Sequence, residues 1–393
     1  MSIAGFNSLL SGQQWRRLYA TSHKTSSAQY VASRVRDPVL EKLMDKYKHL
    51  SKILAVQDLI LANVQFSPPY VSMNFLSRIS QKLRMHPTAN AYLRRFPNIF
   101  DIYHDQATSQ SCCRLTGTAM EIVREEADAI AASLPDAVNR LVRILSMSLT
   151  KSVPLRAIFK VWKELGLPDD FEDSVIARNP DLFKLCEGNE RNTHLLMLVG
   201  EVNPDELSTA VDEWRMRECC SKDCSPYAFK QQYPPGMRLS NKFKEKVKQW
   251  QSLPYVGPYD DLGHARKSKA ESKNLEKRAV AIAHEFLSLT VEKTVEVEKI
   301  SHFKRSFGIG FNIRDLFLDH PGLFYLSTKG KKHTILLREA YERDRVMEST
   351  PVYVARRKLL YLVMMGRRGV NRSSSEYIDS KVASAMPSES ATH

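Results

Sequence analysis

Apolar and polar positions along this chain fall into one order that is used three times. The first round has an apolar stripe from Ile53 to Leu61, a second at Phe75, Leu76, Ile79 and Leu83, and a turn capped by Thr88 through Tyr92 and Leu93. The second round has Val138, Leu141, Val142 and Leu145, then Leu155, Ile158, Phe159, Trp162 and Leu165 closed by Gly166, then a short acidic-led segment from Asp169 to Arg178. The third has Leu275, Ala279, Ile282, Ala283 and Phe286, then Ile300, Phe303 and Phe307 closed by Gly308, then Asn312 before Ile313, Leu316 and Phe317. Spacings of three and four put each stripe on one face of a helix. Glycine at the end of a stripe and Thr or Asn at its start are stop and start signals.

Each round then meets a proline: Phe96-Pro97-Asn98-Ile99-Phe100-Asp101-Ile102, Asn179-Pro180-Asp181-Leu182-Phe183-Lys184-Leu185 and His320-Pro321-Gly322-Leu323-Phe324-Tyr325-Leu326. Proline breaks a helix and pushes the residue before it toward extended geometry. The alternation after it (Phe100 and Ile102, Phe183 and Leu185, Phe324 and Leu326) predicts a strand with one buried face. Leu195 to Val199 follows across Glu187-Gly188-Asn189, and Ile335 to Leu337 across Lys329-Gly330-Lys331-Lys332, so these strands are expected to form hairpins. The fold class is therefore mainly helical α+β, with three winged-helix-like helix-helix-helix-hairpin units at about 51–117, 135–200 and 275–337, plus terminal helices. The first hairpin, through Asp105 to Ser111, is longer than the others, which leaves its register open.

Outside the units, Asp37-Pro38 opens a helix with Val39, Leu40, Leu43, Met44 and Tyr47 on its buried face, and Glu121 to Leu134 reads as a connecting helix. Residues 201–274 break the pattern and are expected to be a linker and hinge. They include a helical stretch from Glu206 to Arg217 and an extended aromatic turn from Pro254 to Tyr259. A last helix from Val352 to Met365 ends at Gly366, and the Ser- and Ala-rich residues 369–393 are expected to be disordered.

Composition changes this picture in four ways. The 393 residues are 43% hydrophobic, enough for sizeable cores, and no apolar run approaches a bilayer span. The net charge is +14, and residues 1–36 hold five of the cations and no acid, so the excess extends beyond them. Basic character points to a polyanionic partner, nucleic acid above all, against an ordinary soluble basic surface. Residues 1–34, rich in Ser, Thr and Arg, have the make-up of an organellar transit peptide, and Arg17-Leu18-Tyr19 resembles a mitochondrial processing site; a chloroplast address is the alternative. Six cysteines, two pairs of them adjacent, suit neither a disulfide framework nor a zinc finger and are expected to be reduced.

Three basic stretches are candidates for nucleic-acid contact. Lys242, Lys244, Lys246 and Lys248 stand near Tyr255 and Tyr259; Lys329, Lys331 and Lys332 occupy a hairpin tip; Arg356, Arg357, Lys358, Arg367 and Arg368 flank the last helix. The competing readings are a solvated helix face over a core of Phe243, Val247 and Trp250, a plain charged turn, and a carboxylate partner for Arg357. Arg94 and Arg95 are a weaker fourth site. Phe100, Phe183, Phe324 and Trp162 sit at core positions. No phosphate-cradling loop, metalloprotease His pair or nucleophile elbow is present, and His284-Glu285 and Asp260-Asp261 lack partners at metal-ligand spacing. No catalytic residue, metal or cofactor is expected.

The chain resembles the plant organelle RNA recognition (PORR) domain over residues 35–368. The likeness is carried by Val35-Arg36-Asp37-Pro38-Val39-Leu40-Glu41, Val153-Pro154-Leu155 through Pro180-Asp181-Leu182-Phe183, Tyr233-Pro234-Pro235-Gly236, Leu253-Pro254-Tyr255 with Pro258-Tyr259, Phe324 to Gly330, Leu337-Arg338-Glu339-Ala340-Tyr341 and Arg356-Arg357-Lys358-Leu359-Leu360. The resemblance implies a non-catalytic organellar RNA-binding protein that promotes group II intron splicing, an mRNA-processing role, working on intron transcripts with other splicing factors and without a membrane. Alternatives are a non-enzymatic docking adaptor in an organellar ribonucleoprotein and an organellar DNA-binding protein.

Overall fold

A computed structural model describes residues 37–366 except 107, 189–192, 201, 203–206, 219–224, 235, 262–268 and 329–331, and except the side chains of 269–271. The expected leader, the C-terminal tail, Lys329, Lys331, Arg367, Arg368 and three of the cysteines lie outside the described residues. Cys112, Cys113 and Cys186 are free thiols, and burial pushes the Cys113 thiol up to about 12.

The first unit runs α1 (Pro38–Leu61), β1 (Tyr70–Ser72), α2 (Met73–Leu83), α3 (Ala89–Leu93), β2 (Phe100–Asp105) and β3 (Gln110–Leu115). Helix α4 (Gly117–Ala132) leads to the second unit: α5 (Leu134–Ser146), β4 (Ser152–Pro154), α6 (Leu155–Val161), a π-helical turn at Glu172–Ile176, β5 (Phe183–Glu187) and β6 (His194–Leu198). After α7 (Ala210–Glu218) and α8 (Asn241–Ser252) comes the third: α9 (Lys269–Leu289), β7 (Thr294–Glu296), α10 (Val297–Ser301), α11 (Ile313–Asp319), β8 (Phe324–Ser327) and β9 (Thr334–Leu337). A small hairpin, β10 (Tyr341–Glu342) and β11 (Arg345–Val346), precedes α12 (Pro351–Gly366). The protein is thus mainly helical, with small antiparallel sheets.

All three units share one sheet topology, in which the last strand lies in the middle: β1-β3-β2, β4-β6-β5 and β7-β9-β8. They also share one register. Phe100 faces Leu115, Phe183 faces Leu198 and Phe324 faces Leu337, and all six are buried. The longer first hairpin therefore adds residues at its tip without a slip, because a slip of one would turn its buried face to water. The residue before each proline acts alike: the carbonyls of Phe96, Asn179 and His320 each accept bonds from the amides three and four residues on, which starts the strand.

A second repeated device closes the second helix of each unit. Arg84, Gly166 and Gly308 each lie eleven residues after the start of α2, α6 and α10, and all three are left-handed, with φ of 54°, 66° and 66°. Each is embraced by the same pair of bonds, such as Gly166 N to the Lys163 carbonyl and Leu167 N to the Trp162 carbonyl. This is a glycine-type helix stop. In the second and third units the position also makes the contact between them. A Cβ on Gly166 would lie 2.8 Å from Val291, and one on Gly308 would lie 2.7 Å from Leu149. Backbone bonds run alongside, from Val291 N to the Glu164 carbonyl (2.8 Å) and from Leu149 N to the Ser306 carbonyl (2.9 Å). Val291 and Leu149 each lie three residues before their unit's first strand, so the two contacts are reciprocal, as in a two-fold dimer.

The second and third units accordingly share one core, while the first has its own, completed by Leu359, Leu360, Leu362 and Val363 of α12. A third cluster joins Leu40, Leu43 and Met44 of α1 to Tyr325 and Leu336 of the third sheet and to Val352 and Tyr353. It is anchored by Asp37, which caps α1 by accepting from Val39 N (3.0 Å) and Leu40 N (3.2 Å) and pairs through its other oxygen with the buried Arg338 (3.0 Å).

Three expectations are revised. The first two helical stretches of the chain are one 24-residue helix, since Leu50 and Ile53 continue the buried face of Leu43 and Met44 and nothing between breaks it. A short edge strand precedes the second helix of each unit; Pro154 ends β4 at the sheet edge, where a missing N–H is tolerated. The described part of 201–274 does not stand off as a free hinge: Val211 and Phe229 belong to the core shared by the second and third units, with Trp214, Trp250, Tyr255 and Tyr259 against it.

Candidate nucleic-acid interface

Helix α8 presents the densest set of exposed cations among the candidates. Ser240 caps it by accepting from Phe243 N (3.3 Å). Phe243, Val247 and Trp250 recur at four and three residues and are half-buried, which turns Lys242, Lys244, Lys246 and Lys248 to water. Among the described residues none of the four lysines forms an ion pair. Four ammonium groups on twelve residues repel one another in isolation, so the helix needs tertiary anchors.

Those anchors are on its inner side. Phe243 packs edge-on to Tyr233 (6.3 Å), and Trp250 lies 5.3 Å from Phe229 and 4.6 Å from His320. The Gln251 amide brackets Phe229, accepting from its N–H (2.7 Å) and donating to its carbonyl (2.9 Å). At the C-terminus the buried Lys277 of α9 donates to the carbonyls of Trp250 (2.7 Å), Gln251 (2.9 Å) and Leu253 (2.7 Å). Its ammonium sits among the rings of Trp250 (4.7 Å), Tyr255 (5.4 Å), Phe229 (5.8 Å) and Tyr227 (6.0 Å). Burial, helped by the Arg215 charge, pulls its pKa down to about 7; the helix C-terminus and ring faces work against that loss of charge. The sequence held no signal for this group, because Lys277 falls inside the apolar stripe of α9.

The two tyrosines expected beside the lysines are engaged internally. Tyr255 accepts from Arg215 Nη2 (3.0 Å), and Tyr259 donates to Glu285 (2.6 Å). Burial, then the Glu285 carboxylate, raises the Tyr259 pKa far above its ordinary value. Glu285 also accepts from Ala210 N (2.8 Å) and Arg143 (3.3 Å), and His284 meets Glu339 (2.5 Å), so this His-Glu pair joins elements of the fold. Among the described residues no group of three or more His, Cys, Asp or Glu could hold a metal ion, and no helix is long and apolar enough to cross a membrane.

The other basic candidates are neutralised where they are described. Lys332 pairs with Glu296 (2.7 Å) and approaches Glu298 (4.0 Å). Arg356 pairs with Glu126 (2.7 Å) and Lys358 with Glu125 (2.9 Å), fastening α12 to α4. Arg357 donates to the Asp344 carbonyl and to Tyr353 Oη (3.0 Å each), with the Asp344 carboxylate 3.7 Å away. On α12, Arg356, Arg357 and Lys358 are thus each paired, with acids up to 233 residues away in sequence. Arg94 and Arg95 are exposed on the first unit.

A chain built from three like α+β units, with a lysine-lined helix fixed on their surface, has the make-up of a modular binding protein. It belongs to the family of the plant organelle RNA recognition domain, which it matches over residues 35–368. It is 35% identical to the Arabidopsis thaliana protein Root Primordium Defective 1 over 347 residues, 85% of this chain and 84% of that one. It is 29% identical to the What's This Factor 1 homolog, chloroplastic, of Oryza sativa subsp. japonica, over 92% of this chain and 72% of that one. It is 30% identical to What's This Factor 9, mitochondrial, of Arabidopsis thaliana, over 73% of this chain and 74% of that one. No solved structure matches the chain.

Proposed function

We propose that this protein binds group II intron RNA in a plant mitochondrion and favours the splicing-competent RNA fold without catalysing the reaction. Catalysis would stay with the RNA and its metal ions; the protein need only bind the active fold better than misfolded ones. The observation that carries the reading is the two exposed lysine pairs, Lys242 with Lys246 and Lys244 with Lys248, on a helix that Lys277 and Gln251 hold in place. Fixed ammonium groups displace counterions from phosphates without first ordering a loop. Family membership supports RNA as the polyanion, and relatives named for both organelles leave the address to the leader's composition.

The test is filter binding of intron RNA by the full chain across a salt series. Affinity should fall steeply with salt. Changing all four lysines to Gln should flatten the slope of log K against log salt by up to about 3, at about 0.7 per phosphate contact. Unchanged affinity and slope in that variant sink α8 as the interface. A docking adaptor predicts the same indifference but keeps its protein partner, and duplex DNA that competes as well as RNA would favour the DNA-binding alternative.

A further inference from the structure

We propose that the outer face of the first unit's sheet is a stacking platform for single-stranded RNA; this rests on the RNA-binding reading above and names a site separate from α8. Three rings run across it. Phe66, 38% exposed in the loop before β1, lies 4.4 Å from Tyr70, and Tyr70 lies 6.3 Å from Tyr103. The Arg114 guanidinium covers Tyr103 at 4.8 Å and is held there by Asp101, which accepts from its Nε and Nη2 at 2.8 Å each. Tyr70, Arg114 and Asp101 are register partners across the three strands, so strand pairing sets their spacing. Tyr70, Tyr103 and Arg114 all remain partly exposed.

Beside this row is a groove of about 1110 Å³ between the Ser67–Pro69 loop, the hairpin base and the start of α4. Arg114 and Asp101 belong to both row and groove, and the exposed Arg94 and Arg124 stand along the groove. Asn90 holds Arg94 (2.9 Å), and among the described residues Arg124 forms no ion pair. Asp101 and Glu121 are there too, so three guanidinium groups face two carboxylates. That balance suits an occupant held mainly by ring faces and only partly by phosphate contacts. Aromatic and guanidinium planes are what unstacked bases bind, whatever their sequence.

The other two sheets lack the feature. At the positions of Tyr70, Tyr103 and Arg114, the second sheet has Ser152, Cys186 and Met197, and the third has Thr294, Ser327 and Leu336. In the third, Tyr325 and Leu336 are packed under α1. Among the described residues, the first sheet has rings and a stacked guanidinium at these positions, beside a groove, and the other two sheets do not have those side chains there.

The experiment uses the full chain and a mixed-sequence RNA single strand about 12 nucleotides long with 2-aminopurine at one base. Wild type should quench the 2-aminopurine on binding. Tyr70→Ala with Tyr103→Ala should abolish quenching and weaken binding by about tenfold to a thousandfold, with the salt slope unchanged. Tyr103→Phe should bind within about twofold of wild type, since the ring face is kept. If circular dichroism shows the alanine pair unfolded, the pair changed to Leu, which keeps apolar bulk without a ring, is read instead with the same expectation. Quenching and affinity at wild-type levels in a folded ring-less pair overturn the proposal and turn the face into a candidate for protein docking, while the α8 variant still reports on RNA binding. A wild-type chain that retains no RNA overturns the proposal and the reading beneath it together.

Discussion

The first unit and the joined second and third units have the same strand order, the same Phe-to-Leu register and the same left-handed helix stop, yet they end in different surroundings. At that stop the pair has Gly166 and Gly308, each against the other unit's Val291 or Leu149, whereas the first unit has Arg84. Its carbonyl accepts from Lys52 of α1 (2.6 Å). Position within the repeat sets the backbone conformation; whether a neighbour is packed there decides if a side chain is tolerated. Ser67, three residues before β1 and so the first unit's counterpart of Leu149 and Val291, lines the groove instead. The two units that pair cover this position with each other, and the unit that does not pair leaves it beside a groove.

The comparison is broken most severely where the two regions are joined. Asp37 caps α1 and pairs with Arg338, and Tyr325 donates to Glu41 alongside. Asp37→Ala removes the cap and strands a buried guanidinium, and should destabilise the full chain by about 3–5 kcal/mol. Urea unfolding read by circular dichroism measures it. A loss below about 1 kcal/mol would mean that Arg338 finds another partner and that α1 is not anchored here.

Next in size is the reciprocal packing. Gly308→Ala and Gly166→Ala each place a Cβ on a left-handed residue, at about 1–2 kcal/mol, and push it into a side chain of the other unit, at about 1–3 kcal/mol more. Each should lower stability by about 2–5 kcal/mol. Equal losses at the two sites would fit a two-fold contact. A loss at only one would show that the interface is not symmetric in energy.

A smaller, pH-graded effect tests the anchor of α8. Lys277 has a pKa near 7 folded and near 10.5 unfolded. Between those values the unfolded chain keeps a proton that the folded chain has released, so folding gains as pH rises through that window. Wild type should therefore gain stability relative to Lys277→Met between about pH 7 and 9, and the gap should be flat below about pH 6. Parallel curves across the whole range would show that the three carbonyls and four rings hold the ammonium charged throughout.

Much of the fold could be read in the residues because its signals are local. Proline acts on its immediate neighbours, so Pro97, Pro180 and Pro321 marked the strand starts, and Phe100, Phe183 and Phe324 could be placed in cores. The outward lysines of α8 followed from Phe243, Val247 and Trp250 on the opposite face. What stayed hidden depended on distant partners. The strands β1, β4 and β7 have three residues each and are defined by pairing with a strand about forty residues on. Arg356 and Lys358 looked like a patch because Glu126 and Glu125 are remote in sequence. The Tyr70-Tyr103-Arg114 row was invisible for the same reason: its members come together only when the hairpin folds back onto β1.

The finest test is at Arg84. If its left-handed backbone is inherited from the repeat and nothing of another unit presses on it, Arg84→Gly relieves a steric strain of about 1–2 kcal/mol and loosens the unfolded chain by about 0.4–1 kcal/mol. The Lys52 bond to its carbonyl survives, since the backbone does not move. The two terms partly cancel, and the net change should be about 0–1.6 kcal/mol on the stabilising side. Placed beside Gly308→Ala, this makes one position in one repeated motif indifferent in the first unit and sensitive in the third. A loss above about 1 kcal/mol on Arg84→Gly would mean that the arginine side chain itself holds the first unit together, and that the first unit's stop is built on a contact the other two do not have.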